Sequence, residues 1–189
     1  MKRSAIESRI ALKRASTRQW VLKPQDLAVA LKLVCLKGGW LPYAELGEAL
    51  YLSRFEAHAA VQRLGAAGLV AEVGAHPEPV LAALREFVLH GARYAFPPVR
   101  GERTIGCPTA HATAPLKQLM MASADSIPVW PYSKGKTRGQ ALLPLYEKLP
   151  QAALEDAAFY ELLALFDALR AGQARERGLA AKLLEERLR

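Results

Sequence analysis

The sequence has few cysteines and no long apolar run, and each absence excludes a class of protein. Two cysteines among 189 residues are too few for a disulfide scaffold and suit a reducing cytoplasm. No run of about 18 or more apolar residues occurs, so we expect no membrane-spanning helix. The basic N-terminus is not followed by an apolar core, so we expect no secretory signal. These absences favour a cytoplasmic protein with free thiols.

Acidic residues are also scarce near the N-terminus, and the resulting charge is unevenly distributed. The net charge is +8, and residues 1–23 contain seven basic residues and one acidic residue, a net charge of +6. Residues 24–154 have a net charge of +3 and residues 155–189 a net charge of −1. A localised basic arm suits a polyanionic partner such as DNA or RNA. The alternative is a solvated, flexible tail.

The pattern from residue 24 to residue 73 predicts three helices and a strand. Apolar residues recur at helical spacing over 24–37, and a second helix is predicted over 43–50. Ser53 and Glu56 have capping-box spacing and open a third helix, from Arg54 to Ala67. The inward stripe of that helix is predicted to be Ala57, Ala60, Val61 and Leu64. The strand is predicted over Leu69–Val73.

The remaining chain predicts more helices and little sheet. A turn-rich break at Gly74–Pro79 leads to a helix over Pro79–His90 and then to an ordered loop with one or two short strands. A β-hairpin is predicted within Ile127–Tyr146, with its turn near Lys134-Gly135. The last two helices are predicted over Ala157–Ala171, capped by Asp156, and over Gln173–Leu188.

We therefore predict a mainly α fold with a small β component, a winged helix-turn-helix followed by an α+β C-terminal extension. The predicted divisions are a basic arm (1–23), the winged helix-turn-helix (24–76), a connector of helix and ordered loop (77–126), and a β-hairpin with C-terminal helices (127–189). A small helix-turn-helix reads little DNA alone, so we expect a homodimer that binds double-stranded DNA at paired half-sites.

The third helix supplies the candidate base contacts, because its outward stripe would face the major groove. Arg54 and Gln62 can bond to the edges of guanine and adenine respectively. His58 can bond to a base or a phosphate, and Phe55 can contact a thymine methyl group. Arg63 points sideways and suits a phosphate.

Two basic segments supply the other candidate phosphate contacts. The first is the arm, through Lys2, Arg3, Arg9, Lys13 and Arg14. The second is "SKGKTRG", in which Lys134, Lys136 and Arg138 alternate and would share one face of an extended strand. The alternative for the second segment is a solvated hairpin tip. Because phosphate neutralisation supplies most non-specific affinity, these segments are expected to provide most of the binding affinity for DNA.

The stretch "YAELGEALYLSRFEAHAAVQRLGAAGLV" resembles bacterial winged helix-turn-helix proteins of the MarR-like type. The segments "FVLHGARYAFPPVRG", "CPTAHA" and "VWPYSKGKTRG", together with the C-terminal helices, look like a bacterial family that joins this unit to an uncharacterised C-terminal domain. The resemblance links such proteins to small operons, sometimes beside abortive-infection-type nucleotidyltransferase toxins. It implies a DNA-binding regulator, with an antitoxin-like role as one option.

The sequence departs from this pattern after "LVAEVG", where a wing hairpin with a basic tip is expected. "AHPEPVLAALREF" instead leads directly to another helix. The wing is therefore predicted to be short or absent, which argues against a minor-groove contact from this region.

The sequence has no enzymatic, metal or cofactor signature. Cys107 and His111 are four residues apart, but a zinc site needs about four ligands and the other histidines are not spaced to help. We therefore expect no enzyme, no metal site and no cofactor. A protein-interaction module, such as an antitoxin or adaptor that binds the product of a neighbouring gene, remains the main alternative to a DNA-binding regulator. Engagement of RNA or phage DNA, mainly through the arm, is the third.

Overall fold

The computed structural model describes residues 20–73, 76–120 and 127–189, which form a mainly helical fold with a small sheet component. The expected phosphate contacts at Lys2, Arg3, Arg9, Lys13 and Arg14 lie outside the described residues. Within the described part, no helix has the length and apolar character needed to cross a membrane.

The first three helices begin where the sequence predicts and end within two residues of the predicted positions. They are α1 (Pro24–Cys35), α2 (Tyr43–Leu50) and α3 (Arg54–Ala66). A side chain on Gly47 would place its Cβ 2.8 Å from the Leu52 carbonyl oxygen, so glycine allows α2 to pack closely on the turn. That turn is completed by Tyr51, whose φ of 54° is left-handed.

The start of α3 has the predicted capping box. The Ser53 hydroxyl accepts a hydrogen bond from the Glu56 backbone N–H at 3.2 Å, and the Glu56 carboxylate accepts one from the Ser53 N–H at 2.8 Å. The predicted inward stripe is buried, and it consists of Ala57, Ala60, Val61 and Leu64. The opposite side of α3 is therefore left outside the core.

The expectation of a direct passage from the first strand into a helix is wrong. Strand β1 (Val70–Val73) pairs antiparallel with β2 (His76–Pro79) in a two-stranded sheet. Val80 N–H donates to the Leu69 carbonyl at 2.9 Å. Because ladder hydrogen bonds fall on alternate residues, Pro77 and Pro79 occupy positions at which no N–H is needed.

The helical segment after β2 is divided where a single helix over Pro79–His90 was predicted. It consists of α4 (Leu81–Glu86), a π-helical turn (Phe87–Gly91) and α5 (Ala92–Ala95). The π-helical turn ends at Gly91, where an added Cβ atom would lie 3.0 Å from the Phe87 ring.

The predicted β-hairpin is wrong in its pairing. Strands β4 (Pro128–Pro131) and β5 (Thr137–Leu142) pair in parallel with each other, and each pairs antiparallel with β3 (Arg100–Pro108). The three strands close into a small barrel. Between β3 and β4 lie a 3-10 turn (Ala110–Ala112) and α6 (Leu116–Leu119).

The C-terminal helices are α7 (Leu149–Leu154), α8 (Ala157–Ala171) and α9 (Ala174–Arg187). Asp156 caps α8 as predicted, because its carboxylate accepts from the N–H groups of Ala158 and Phe159. Asp156 also pairs with Lys32 of α1 at 2.8 Å. One continuous apolar core contains side chains from α1–α3 and from α7–α9, so α8 shares its core with the three N-terminal helices.

Candidate nucleic-acid interface

The predicted base-reading residues lie together on the exposed side of α3. Arg54, Phe55, His58 and Gln62 are all exposed, and Phe55 retains 73% of its accessible surface. The Arg54 guanidinium lies 5.0 Å from the centre of the Phe55 ring. We call these four side chains the α3 face. These four side chains are exposed because the capping box sets where the helix starts and because the buried stripe lies on the opposite side of the helix. That stripe consists of Ala57, Ala60, Val61 and Leu64.

A chain of aromatic contacts, which the sequence analysis did not identify, fixes one side of the α3 face. The Tyr43 ring meets His58 edge-on at 4.8 Å and Trp40 edge-on at 5.1 Å. Trp40 in turn stacks on His76 of β2 at 6.0 Å. These contacts connect β2 to the α3 face. The spacing of Trp40 and Tyr43, three residues apart, is the signal that could have revealed part of this arrangement.

The aromatic contacts also shape the surface beside α3. A depression of about 470 Å³ is lined by Tyr43, Ala44, Arg54, Phe55 and His58. Burial raises the pKa of Tyr43, so its hydroxyl stays neutral and can donate a hydrogen bond at physiological pH. This depression therefore involves α2 as well as α3.

A second groove connects the arm to α3. Its volume is about 670 Å³, and its lining includes Trp20, Gln62, Ala66 and Glu72. Trp20 is the first residue that the structure describes. The chain therefore enters the described fold beside Gln62 of the α3 face.

Arg63 does not lie on the free surface, contrary to its predicted role in phosphate contact. Its Nε and one terminal nitrogen donate to the two carboxylate oxygens of Asp26 at 2.7 and 2.6 Å. Asp26 is fully buried and the Arg63 side chain is 11% exposed. The guanidinium therefore forms an internal ion pair, which joins α1 to α3.

The three basic residues of "SKGKTRG" are exposed but do not share one strand face as predicted. Lys134 and Lys136 lie in the β4–β5 connection, and Arg138 is the second residue of β5. They are separate from the α3 face in sequence. A contact at the Leu50 carbonyl, which accepts a hydrogen bond from the Tyr146 hydroxyl at 2.8 Å, brings the segment after β5 to the end of α2.

At the start of α3, the acidic side chain of Glu56 lies near basic side chains. Hydrogen bonds from the Ser53 N–H and hydroxyl lower the pKa of Glu56, and the positive charges of Lys148 and Lys23 lower it further. Glu56 therefore stays ionised where the helix dipole is positive. Lys23 and Lys148 are the basic side chains near this carboxylate.

The Cys107 thiol is buried, and the His111 imidazole faces a carboxylate of α9. Burial raises the pKa of the Cys107 thiol, which disfavours the reactive thiolate. His111 Nδ1 lies 3.3 Å from Glu176 Oε1, a carboxylate of α9. Among the described residues, no three His, Cys, Asp or Glu side chains are placed to hold a metal ion.

Comparison with known proteins gives no match. No protein-family profile, no curated protein and no solved structure matches this chain. Inference about function therefore depends on the residues, geometry and charge of the molecule itself.

Proposed function

We propose that this protein is a DNA-binding transcriptional regulator of winged helix-turn-helix type. In this proposal α2 and α3 are the helix-turn-helix, β1 and β2 are a short wing, and α3 enters the major groove. The observation that carries the proposal is the α3 face, a cluster of exposed polar and aromatic side chains on a capped helix whose other side is buried. The resemblance to MarR-like regulators agrees with this assignment but is not independent of it.

Base recognition is assigned to the four residues of the α3 face. Arg54 is matched to guanine and Gln62 to adenine, since each can form two hydrogen bonds to the base edge. His58, held by Tyr43, contacts a base or a phosphate. Phe55 contacts a thymine methyl group, for which its exposed ring is suited.

Phosphate contacts are assigned to the arm. The attachment of the arm beside Gln62 supports this assignment, because basic residues in that position start close to the reading helix. An arm so placed can reach an adjacent groove. The protein is proposed to act as a homodimer, so that two copies of α3 meet paired half-sites.

The test compares labelled duplexes carrying the protein's own promoter and a shuffled sequence. Wild-type protein should prefer the promoter, and Arg54→Ala with Gln62→Ala should reduce that preference about tenfold or more, because both side chains that read base edges are removed. The matched control is Arg175→Ala with Gln118→Ala, which removes an exposed arginine and glutamine elsewhere and should preserve the preference. Equal binding to both duplexes, or no binding below micromolar protein, contradicts the proposal.

One observation favours a second function, that of a protein-interaction module. The most exposed large apolar side chain of α3 is Phe55, and Tyr51 of the adjoining turn is also exposed. An antitoxin or adaptor can use such an apolar patch to bind a protein encoded by a neighbouring gene. Co-purification with that gene's product, abolished by Phe55→Ala, would favour this function over DNA binding.

A further inference from the structure

The barrel contains the whole excess positive charge of the described chain. Its strands and the β4–β5 connection, residues 100–108 and 127–142, contain five basic residues and one acidic residue, a net charge of +4. The described residues together contain 20 basic and 16 acidic residues, which is also a net charge of +4. The remaining described residues are therefore neutral overall, and the barrel is the basic part of this fold.

The strand register places two arginines on one outward face. Arg103 lies opposite Gln140, and Ile105 lies opposite Arg138, so the two arginines are diagonal neighbours. Diagonal neighbours in an antiparallel pair are roughly 7–8 Å apart. Both arginines are exposed, as is Ile105 between them.

Carboxylates of the described residues do not neutralise these cations. The ion pairs found in that part of the chain use Lys32, Arg63, His111, Arg170 and Arg187, none of which belongs to the barrel. Neighbouring like charges repel, and that repulsion is relieved when an external anion binds between them. The face is therefore complementary to a polyanion.

The barrel holds its basic residues on a closely packed frame. A Cβ on Gly135 would overlap backbone atoms of Gly106, so the connection that carries Lys134 and Lys136 lies directly against β3. Asp167 of α8 accepts from Trp130 Nε1 at 2.6 Å and from the Thr109 hydroxyl at 2.7 Å, which fixes the barrel to the helices. Such pre-organisation lowers the entropy cost of binding a ligand.

The segment that follows the barrel reaches the end of α2. Tyr146, four residues after β5, bonds to the Leu50 carbonyl. This hydrogen bond links the chain after the barrel to the helix that precedes α3.

We propose that the barrel face, defined as Arg103 and Arg138 beside Ile105 together with Lys134 and Lys136 of the adjoining β4–β5 connection, binds the backbone phosphates of duplex DNA. The choice of duplex DNA rests on the proposed function. It is also supported by composition, since the exposed aromatic side chains of the described chain lie outside the barrel. Single-strand sites combine cations with exposed aromatic rings that stack on bases, whereas phosphate contacts need cations alone.

The test uses full-length protein and a labelled duplex over a salt series of about 50 to 200 mM. The barrel variant is Arg103→Gln, Lys136→Gln and Arg138→Gln. The matched control is Lys117→Gln, Arg175→Gln and Lys182→Gln, which makes the same charge change at exposed positions outside the barrel. A melting curve for each variant establishes that it is folded.

A plot of log affinity against log salt has a negative slope, and the barrel variant should make that slope shallower by roughly 2 to 3 units. This is about one unit for each cation that no longer neutralises a phosphate. Affinity should fall equally on promoter and shuffled duplexes, and the control should change the slope by less than one unit. Equal slopes for the two variants, or no change from wild type, would overturn the proposal. Tighter binding to single-stranded RNA than to duplex DNA would also overturn it.

Failure of the barrel proposal is distinguishable from failure of the proposed function. If Arg54→Ala with Gln62→Ala leaves promoter preference intact while the barrel variant reduces the salt slope, base reading by α3 is wrong and the barrel site stands. If promoter preference depends on α3 but the barrel variant behaves like its control, the barrel proposal is wrong and the regulator stands.

Discussion

Arg63 shows that an arginine of α3 can stabilise the fold instead of binding a ligand. Its position in the sequence predicts a sideways phosphate contact, yet it forms a two-point ion pair with buried Asp26. The sequence separates these residues by 37 positions, and no local pattern connects them. By contrast, Arg54, Phe55, His58 and Gln62 could be predicted as exposed because helical periodicity places them opposite the alanine stripe.

Removing Arg63 should destabilise the fold and not only weaken DNA binding. Arg63→Met leaves the Asp26 carboxylate buried with one remaining donor, the Lys23 N–H at 2.8 Å. We expect the free energy of unfolding to fall by about 3 to 5 kcal/mol, measured by urea denaturation. Asp26→Leu combined with Arg63→Met should recover much of this decrease. A decrease below about 1 kcal/mol in the single variant would show that the ion pair has little structural role.

At the level of elements, the helices with clear caps or apolar spacing were predictable from the sequence, whereas the short helices α6 and α7 and the strand pairing were not. Caps and apolar spacing located α1, α2, α3 and α8, because both signals are local. Strand β2 was missed because Pro77 and Pro79 argue against a strand unless their positions need no N–H. The parallel pairing of β4 and β5 depends on β3, more than 20 residues away, so a hairpin was the natural but incorrect prediction.

The cap of α3 gives a prediction at this scale. Ser53→Ala removes the hydroxyl that accepts from Glu56 N–H, and it should lower the free energy of unfolding by about 1 kcal/mol. Ser53→Asp retains an acceptor and should be much less destabilising, since aspartate is also a favourable cap. Both are measured by urea denaturation. If alanine and aspartate are equally destabilising, the hydroxyl does not cap α3.

At the scale of the whole molecule, one core joins the candidate reading unit to the C-terminal helices. The sequence predicts these as separate segments, because no local signal shows that α8 packs against α1. Lys32 and Asp156, 124 residues apart, form the ion pair at this junction. A regulator built this way would hold α3 and the barrel in a fixed relation on DNA.

The Lys32–Asp156 pair should make this junction sensitive to acid. Burial opposes ionisation of Asp156, but hydrogen bonds from Lys32 and the Phe159 N–H outweigh it and lower the pKa below 3.8. Because the folded pKa is lowered, the stabilisation is present above the unfolded value and is lost as pH falls through the folded value. Asp156→Asn keeps a capping side chain and should cost about 1 to 3 kcal/mol at pH 7.

The difference between Asp156→Asn and wild type should begin to shrink below about pH 4, where the carboxylate of the unfolded chain becomes protonated, and should shrink further as pH falls through the lower pKa of the folded protein. Urea midpoints measured at several pH values test this. A difference that stays constant from pH 7 to about pH 3 would contradict a role for the ionised pair.

The central claim, that the α3 face reads DNA sequence, is tested most directly by selecting bound duplexes from a random pool with full-length protein. We expect wild type and Arg175→Ala with Gln118→Ala to enrich one motif with paired half-sites. We expect Arg54→Ala with Gln62→Ala to lose base preference at defined positions of that motif. Enrichment of no motif by wild type, or of the same motif with equal strength by the α3 variant, would contradict the claim.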